Sequence, residues 1–431
     1  MNSEYPRAPI GAVAKVRSGF AFKSTNWQNK GIPVVKIANV KNGRLEMNKC
    51  SYVSEDVATI AQDFLLREDD LLISMTGYVG DVAKVKKENI PCMLNQRVGR
   101  FYSYRDDVID PNFLFFHLRH SDIRASIEQK AHGSAQPNIS AGSIEEIEIY
   151  LPDFGNQKAI AHILSSLDDK IELNRKTNET LEAMAKALFK SWFVDFDPVR
   201  AKAEGRPTGL PAEISDLFPD SFEDSELGEI PKGWKITSLD KVADFLNGLV
   251  LQEFPAFAGE QTLPVLKIAQ LKKRHSVGAD KCSANLPPQY KVFDGDILFS
   301  WSGSLTVDTW CGGNGALNQH LFKVTSEKYE DWFILHWIKI HLSSFQMIAK
   351  SKATTMGHIQ RHHLTEAKTL IPPADLLEKI GWIFSSINKK EFCLRVKSRT
   401  LAALRDTLLP KLISGELRIP DAEKILEEVD I

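Results

Sequence analysis

"IPVVKIANVKNG", residues 32 to 43, returns as "LPVLKIAQLKKR" at residues 263 to 274. Internal similarity has to be tested before any local reading, because missing it mis-assigns the whole fold. Working outward from this stretch, the test succeeds repeatedly and in the same order. "SGF" (Ser18 to Phe20) corresponds to "NGL" (Asn247 to Leu249). "REDDLLISMTG" (Arg67 to Gly77) corresponds to "FDGDILFSWSG" (Phe293 to Gly303), and "LNQRV" (Leu94 to Val98) to "LNQHL" (Leu317 to Leu321). Last, "LPDFGNQKAIAHILSSLDDKI" from Leu151 corresponds to "IPPADLLEKIGWIFSSINKKE" from Ile371. The offset is larger at Pro33 and Pro264 than at Leu151 and Ile371, so the copies differ by small loop insertions. The chain is a duplication of the form A-B-A′-B′.

Each A copy reads as a mixed, β-rich domain. "PVVKIANV", "DLLISMTG", "LPVLKIAQL" and "DILFSWSG" are short runs rich in Val, Ile and Phe beside turn dipeptides such as Asn42-Gly43 and Asp294-Gly295. A helical stretch follows in each, at 111–129 and 330–350. Each B copy reads as one long helix. Apolar or neutral residues recur with 4-3 spacing from Ile160 through Leu167, Asn174, Asn178 and Leu181 to Trp192, and again from Ile380 through Phe384 and Leu401 to Leu412. Such heptads over about 35 residues favour a coiled coil, and two matching helices can pair with each other. Asn174 and Asn178 interrupt the first seam at its middle, where buried polar groups fix register. Asp375, three residues before Glu378, resembles a capping box for the second helix; Gly415 suits its end, and Pro198 is placed to stop the first. The expected layout is a first domain at 1–150, a long helix at 151–198 and a linker at 199–230, then a second domain at 231–372, a second long helix at 373–416 and a tail at 417–431.

Composition bounds the class. With 431 residues, 43% hydrophobic and 26% charged, the chain is an ordinary globular protein of two or three domains. No apolar run approaches a membrane span and "MNSEYPRAPI" has no signal core, so a membrane partner is not expected. Five scattered cysteines, none spaced CxxC, argue against a disulfide framework and a zinc site and fit a reducing cytoplasm. The net charge of -2 hides a distribution: the A copies are mildly basic, and the acidity lies in 151–225. That neither establishes nor excludes nucleic-acid binding, since one face can still concentrate positive charge.

Catalytic signatures are missing. There is no GxGxxG and no GxxxxGK[ST], so nucleotide binding has no support. "LPPQY" (Leu286 to Tyr290) lacks the Asn or Asp that an amino-methyltransferase places before its paired prolines, and "SWSGS" (Ser300 to Ser304) lacks the first Gly of a nucleophile elbow. "VDFDPV" (Val194 to Val199) reads as a helix exit rather than a nuclease core. His358, His362 and His363 have no carboxylate or Cys at a useful interval, so no metal site is expected. The expectation is a chain without catalytic, cofactor-binding or metal-binding residues of its own.

The run "ALFKSWFVDFDPVRAKAEGRPTGLP" (Ala187 to Pro211), preceded by "LPDFGNQKAIAHILSSLDDKIELNRK", resembles the central region of the DNA-specificity subunits of type I restriction-modification systems. "GDILFSWSGS" and "LNQHL" resemble their target-recognition domains, and the resemblance covers nearly the whole chain. It implies an α+β fold in which two similar target-recognition domains are separated by an antiparallel pair of long coiled-coil helices. It also implies a non-catalytic subunit that reads double-stranded DNA. Two methyltransferase (modification) subunits, and restriction/translocase subunits, would be separate chains carrying S-adenosylmethionine, ATP and Mg. The first copy opens with "EYPRAPIGAV" where the second has "GEIPKGWKITSL", so its start is expected to be shortened.

A pseudo-two-fold chain of this kind presents two similar surfaces to two DNA segments, so the target is two short elements about an unread spacer, centred about 34–36 Å apart. Because the copies differ in sequence, the half-sites need not match. Candidate DNA contacts are polar residues on the recurring loops. They are Lys23, Tyr78, Gln96, Arg97, Gln136 and Asn138 in the first copy, and Ser302, Ser304, Gln319, His320, His358, Gln360 and Arg361 in the second. Arg, Gln and Asn have the bidentate geometry that reads purine edges, and Lys suits phosphate. Two other classes stay open. A stand-alone DNA methyltransferase or nuclease would bind S-adenosylmethionine or a metal by itself. A coiled-coil assembly scaffold would ignore DNA sequence.

Overall fold

A computed structural model of the chain describes residues 5–41, 43–133, 136–351 and 357–428; Asn42, half of one turn dipeptide, lies outside them. Two compact units form: Met1–Lys170 with Leu401–Ile431, and Ile171–Thr400. The long helix Phe154–Phe193 therefore belongs to the first unit up to Lys170 and to the second from Ile171, and Ala374–Ser414 is divided likewise. No helix among the described residues is long and apolar enough to cross a membrane.

The duplication is written in the strand order. In the first unit a sheet runs Lys15–Ser18, Val98–Tyr102, Leu71–Ser74, Val82–Lys84, then Gly43–Leu45 and Val40–Lys41. In the second, Asp244–Asn247, Leu321–Thr325, Ile297–Ser300 and Val307–Thr309 repeat its first four members. A smaller sheet repeats too. Val34 and Val35 pair in parallel with Met93 and Leu94, as Val265 and Leu266 do with Ala316 and Leu317. Each domain is closed by pairing its first strand with its last, Arg7–Pro9 with Glu148–Tyr150 and Lys235–Ser238 with Lys368–Ile371.

The stretch that reveals the duplication diverges in its second half. Both copies turn by the same device: the Lys36 N–H donates to Asn39 Oδ1 at 2.9 Å, and the Lys267 N–H to Gln270 Oε1 at 3.2 Å. The first copy then runs into the hairpin Val40–Lys41 with Gly43–Leu45, where Gly43 has a φ of +83°. The second has no glycine there, and its Leu-Lys-Lys run continues as the helix Ile268–Lys273 instead of the expected strand. Likewise the stretch 111–129 is two helices, Pro111–Leu118 and Ser121–Lys130, because Asp110 and His120 each cap a separate start.

Most of the heptad seam is buried, with Leu181 half-buried. Ile160, Leu164 and Leu167 are buried in the first unit, as are Leu401, Leu408 and Leu412. In the second unit Asn174 Nδ2 donates to Ser398 Oγ at 3.2 Å while Phe189 and Trp192 pack on Phe384, so the helices run antiparallel. Asn174 and Asn178 are both 8% exposed, and the Asn178 Oδ1 has no partner among the described residues. A buried, half-satisfied amide costs stability and tolerates few alternative registers. The aromatic run at the end of the first long helix is explained by packing: Phe189 and Phe193 enter a cluster with Phe333 and with Trp332, which stacks on Phe384 at 4.6 Å.

Two expected helix signals act differently. Pro198 does not stop the first long helix, which ends at Phe193; it opens the next one, Asp197–Ala203, where a missing N–H costs nothing. The chain turns between them at Phe196, whose φ is +59°. Asp375 is not a cap, because the second long helix begins one residue earlier and Asp375 sits in its first turn. Gly415, with a φ of +80°, does end that helix. Before the second domain, Phe222–Ser225 and Gly228–Pro231 form a hairpin. The tail residues Ile419–Glu428 form a helix with Ala422 and Leu426 buried.

A carboxylate between two arginines ties the long helices to the domain in each unit. In the first, Asp168 accepts from both Arg119 and Arg405. In the second, Asp308 on the strand Val307–Thr309 accepts from Arg274 Nε and Arg395 Nη1, both at 2.6 Å, and Arg395 also pairs with Glu391. Burial opposes the charge on Asp308, but Arg395 and Arg274 outweigh it and hold the carboxyl below its usual range. Burial raises the Glu391 carboxyl, which Arg395 offsets only in part. His117 is kept neutral by complete burial, at about 3, with its Nε2 accepting the Tyr150 N–H.

Candidate nucleic-acid interface

At one end of the main sheet in the first unit, Ser18 closes one strand, Met75 and Thr76 leave another, and Gln96 and Arg97 turn into a third. Backbone bonds fix their geometry. The Met75 N–H donates to the Arg97 carbonyl at 3.0 Å, the Gln96 N–H to the Phe20 carbonyl at 2.9 Å, and the Ile139 N–H to the Met75 carbonyl at 2.9 Å. Asn95, buried beneath, accepts the Arg97 N–H on its Oδ1 at 3.3 Å. Gly19 is required by contact: a Cβ there would lie 2.4 Å from the Asn95 carbonyl oxygen.

The second unit repeats this bond for bond. The Trp301 N–H donates to the His320 carbonyl at 3.3 Å, the Gln319 N–H to the Leu249 carbonyl at 2.9 Å, and the Ile359 N–H to the Trp301 carbonyl at 2.9 Å. The Asn318 Oδ1 accepts the His320 N–H at 3.2 Å, and a Cβ on Gly248 would lie 2.3 Å from the Asn318 carbonyl oxygen. Position by position, Ser18, Met75, Thr76, Gln96, Arg97 and Asn138 stand where Asn247, Trp301, Ser302, Gln319, His320 and His358 stand. The bridges Thr76–Asn138 and Ser302–His358 complete the match.

On this common frame the side chains differ. In the first unit an open, polar pocket of about 500 Å³ is lined by Ser18, Thr76, Gln96, Arg97, Gln136 and Asn138, with Met75 and 139–141 completing it. Thr76 Oγ1 donates to Asn138 Oδ1 at 2.7 Å. Arg97 is exposed, and its guanidinium has no hydrogen-bond or ion-pair partner among the described residues. In the second unit the indole of Trp301 takes the place of Met75. Its Nε1 donates to Asn247 Oδ1 at 2.9 Å and to the Gln319 carbonyl at 3.0 Å, and its ring lies against His320 and His358. Ser302 Oγ meets His320 Nδ1 at 3.0 Å, and the Gln319 Oε1 is buried without a partner among the described residues.

Eight of the thirteen sequence candidates thus gather at the two matched sites: Gln96, Arg97, Gln136 and Asn138, with Ser302, Gln319, His320 and His358. Five do not. Lys23 is exposed on another loop, where its N–H meets Asn26 Oδ1, and Tyr78 is 70% exposed outside the pocket lining. Ser304 is exposed and lends its carbonyl to Ser300 Oγ. Gln360 precedes the helix Arg361–Glu366, and Arg361 donates to the Phe245 carbonyl while lying over the Phe322 ring. Ser18, Met75, Thr76, Asn247 and Trp301 are not among the sequence candidates, although each lies within a repeated block. A carboxylate is missing from them too: Glu366, one turn after His362, brings three possible ligand atoms with His363 within 4.8 Å of one another.

The family described as type I restriction modification DNA specificity domain matches residues 2–183 and 231–393. The MjaIX specificity subunit of Methanocaldococcus jannaschii is 24% identical over 359 residues, spanning 81% of this chain and 78% of its own. The EcoKI specificity subunit of Escherichia coli (strain K12) is 21% identical over 436 residues, spanning 95% and 88%. The crystal structure of the type I restriction-modification S subunit from M. genitalium has a TM-score of 0.55 at 16% identity, covering 95% of this chain and 96% of that one, a likeness of fold. With both repeats matched over most of their length, this chain belongs to the type I restriction-modification DNA-specificity family.

Proposed function

We propose that the chain is the DNA-recognition subunit of a type I restriction-modification system, reading a bipartite, asymmetric target and directing methyltransferase and restriction subunits to it. The observation that carries this is the duplicated strand-end site, in which one backbone frame holds two different sets of hydrogen-bonding side chains. A frame built twice suits two half-sites, and different side chains on it suit half-sites of different sequence. The chain is non-catalytic in this reading. S-adenosylmethionine, ATP and Mg are held by the partners, which include two modification subunits.

Methyl transfer by the purified chain, by its methyltransferase partner and by the two together tests this directly. Only the pair should methylate DNA, and only at one split motif. Methyl transfer by the chain alone would favour the stand-alone enzyme. A pair that methylates without regard to sequence would favour the scaffold.

A further inference from the structure

We infer that the residues at 97 and 138, with their counterparts at 320 and 358, are the base-selecting pair of each domain, and that Arg97 and Asn138 select guanine in the first half-site. This rests on the function proposed above. The matched frame separates two kinds of position. Gln96 and Gln319 are the same residue on the same backbone bond, as are the buried Asn95 and Asn318, so these belong to the frame. Arg97 against His320, and Asn138 against His358, are changes of functional group at fixed places.

In the first domain the groups of these two side chains left without a partner among the described residues are N–H donors. The Asn138 Oδ1 already accepts the Thr76 hydroxyl at 2.7 Å, and its Nδ2 amide is left for a ligand. The Arg97 guanidinium stands at the same pocket without a partner among the described residues. A fork of donors selects a base edge that offers paired acceptors. In the major groove only guanine does so, with N7 and O6, because adenine and cytosine each place an amino donor there and thymine offers the single acceptor O4 beside its methyl group. In the second domain the His320 imidazole, bound through Nδ1 to Ser302 Oγ at 3.0 Å and flanked by Trp301, cannot reproduce that fork, so its half-site differs.

The test uses the complex with the methyltransferase partner and a randomised DNA library, read out as the methylated motif and the rate at each site. Arg97→Lys keeps the charge and loses the fork, and Arg97→Ala loses both. Since the Arg97 guanidinium holds no partner among the described residues, both variants should assemble normally, which their thermal melting checks. Each should lower the preference for guanine at one position of the first half-site, on the order of tenfold or more, with the second half-site intact. Lys23→Ala, outside the pocket, should leave the motif unchanged. An intact motif with methylation slowed equally at all sites would place Arg97 on phosphate and overturn the inference, as would an intact motif at an unchanged rate. A wild-type complex with no motif would overturn the proposed function itself.

Discussion

Adding four residues to each long helix, after Lys170 in the first and after Thr400 in the second, is expected to keep both half-sites of the target and lengthen the unread spacer by one or two base pairs. The insertions fall where the compact units divide, so the contacts within each unit are left in place. Each helix gains about 6 Å and turns about 40° beyond a full turn, which largely preserves the seam. Matched two-residue insertions add only about 3 Å but rotate the seam by about 200°. The seam on one side of the junction then faces away from the seam on the other, so the two helices cannot stay paired across it, and assembly should be abolished. The methylated motif of each variant gives the answer. An unchanged spacer in the four-residue variant, or equal behaviour of the two, would place spacing in the partner subunits.

Asp308→Ala is expected to lower the unfolding free energy of the second unit by about 3–5 kcal/mol, because it leaves Arg395 buried with only Glu391 as its counter-charge. The side chain of Arg395 is 8% exposed, so water cannot replace the lost partner. Asp280→Ala, which removes the exposed ion pair with Lys267, should cost under about 1 kcal/mol. Urea unfolding followed by tryptophan fluorescence separates these, since every tryptophan except Trp27 lies within Ile171–Thr400. Equal shifts for the two variants would show that the network does not hold the helix to the domain.

The family and the duplicated architecture were legible because they lie in repeats and periodicity, which need no knowledge of contacts. Gly19 and Gly248, or Asn95 and Asn318, announce themselves by returning in the same blocks. The candidate site was legible only in part. Thr76 reaches Asn138 across 62 residues and Trp301 reaches Asn247 across 54, and nothing local marks such pairs. A small hydroxyl beside a glycine reads as a turn until its acceptor is seen, and an isolated Trp after a strand reads as core. Helix ends failed for a related reason. Pro198 and Asp375 are as compatible with the first turn of a helix as with the places first given them, and packing of the neighbouring segments chooses between the two.

The most direct measurement of the central claim is the methylated motif of a complex in which residues 1–150 have been replaced by the first domain of another family member. Two independent sites on one duplicated frame predict that one half of the motif changes to that of the donor while the other half stays as it was. A motif changed in both halves, or in neither, would contradict it.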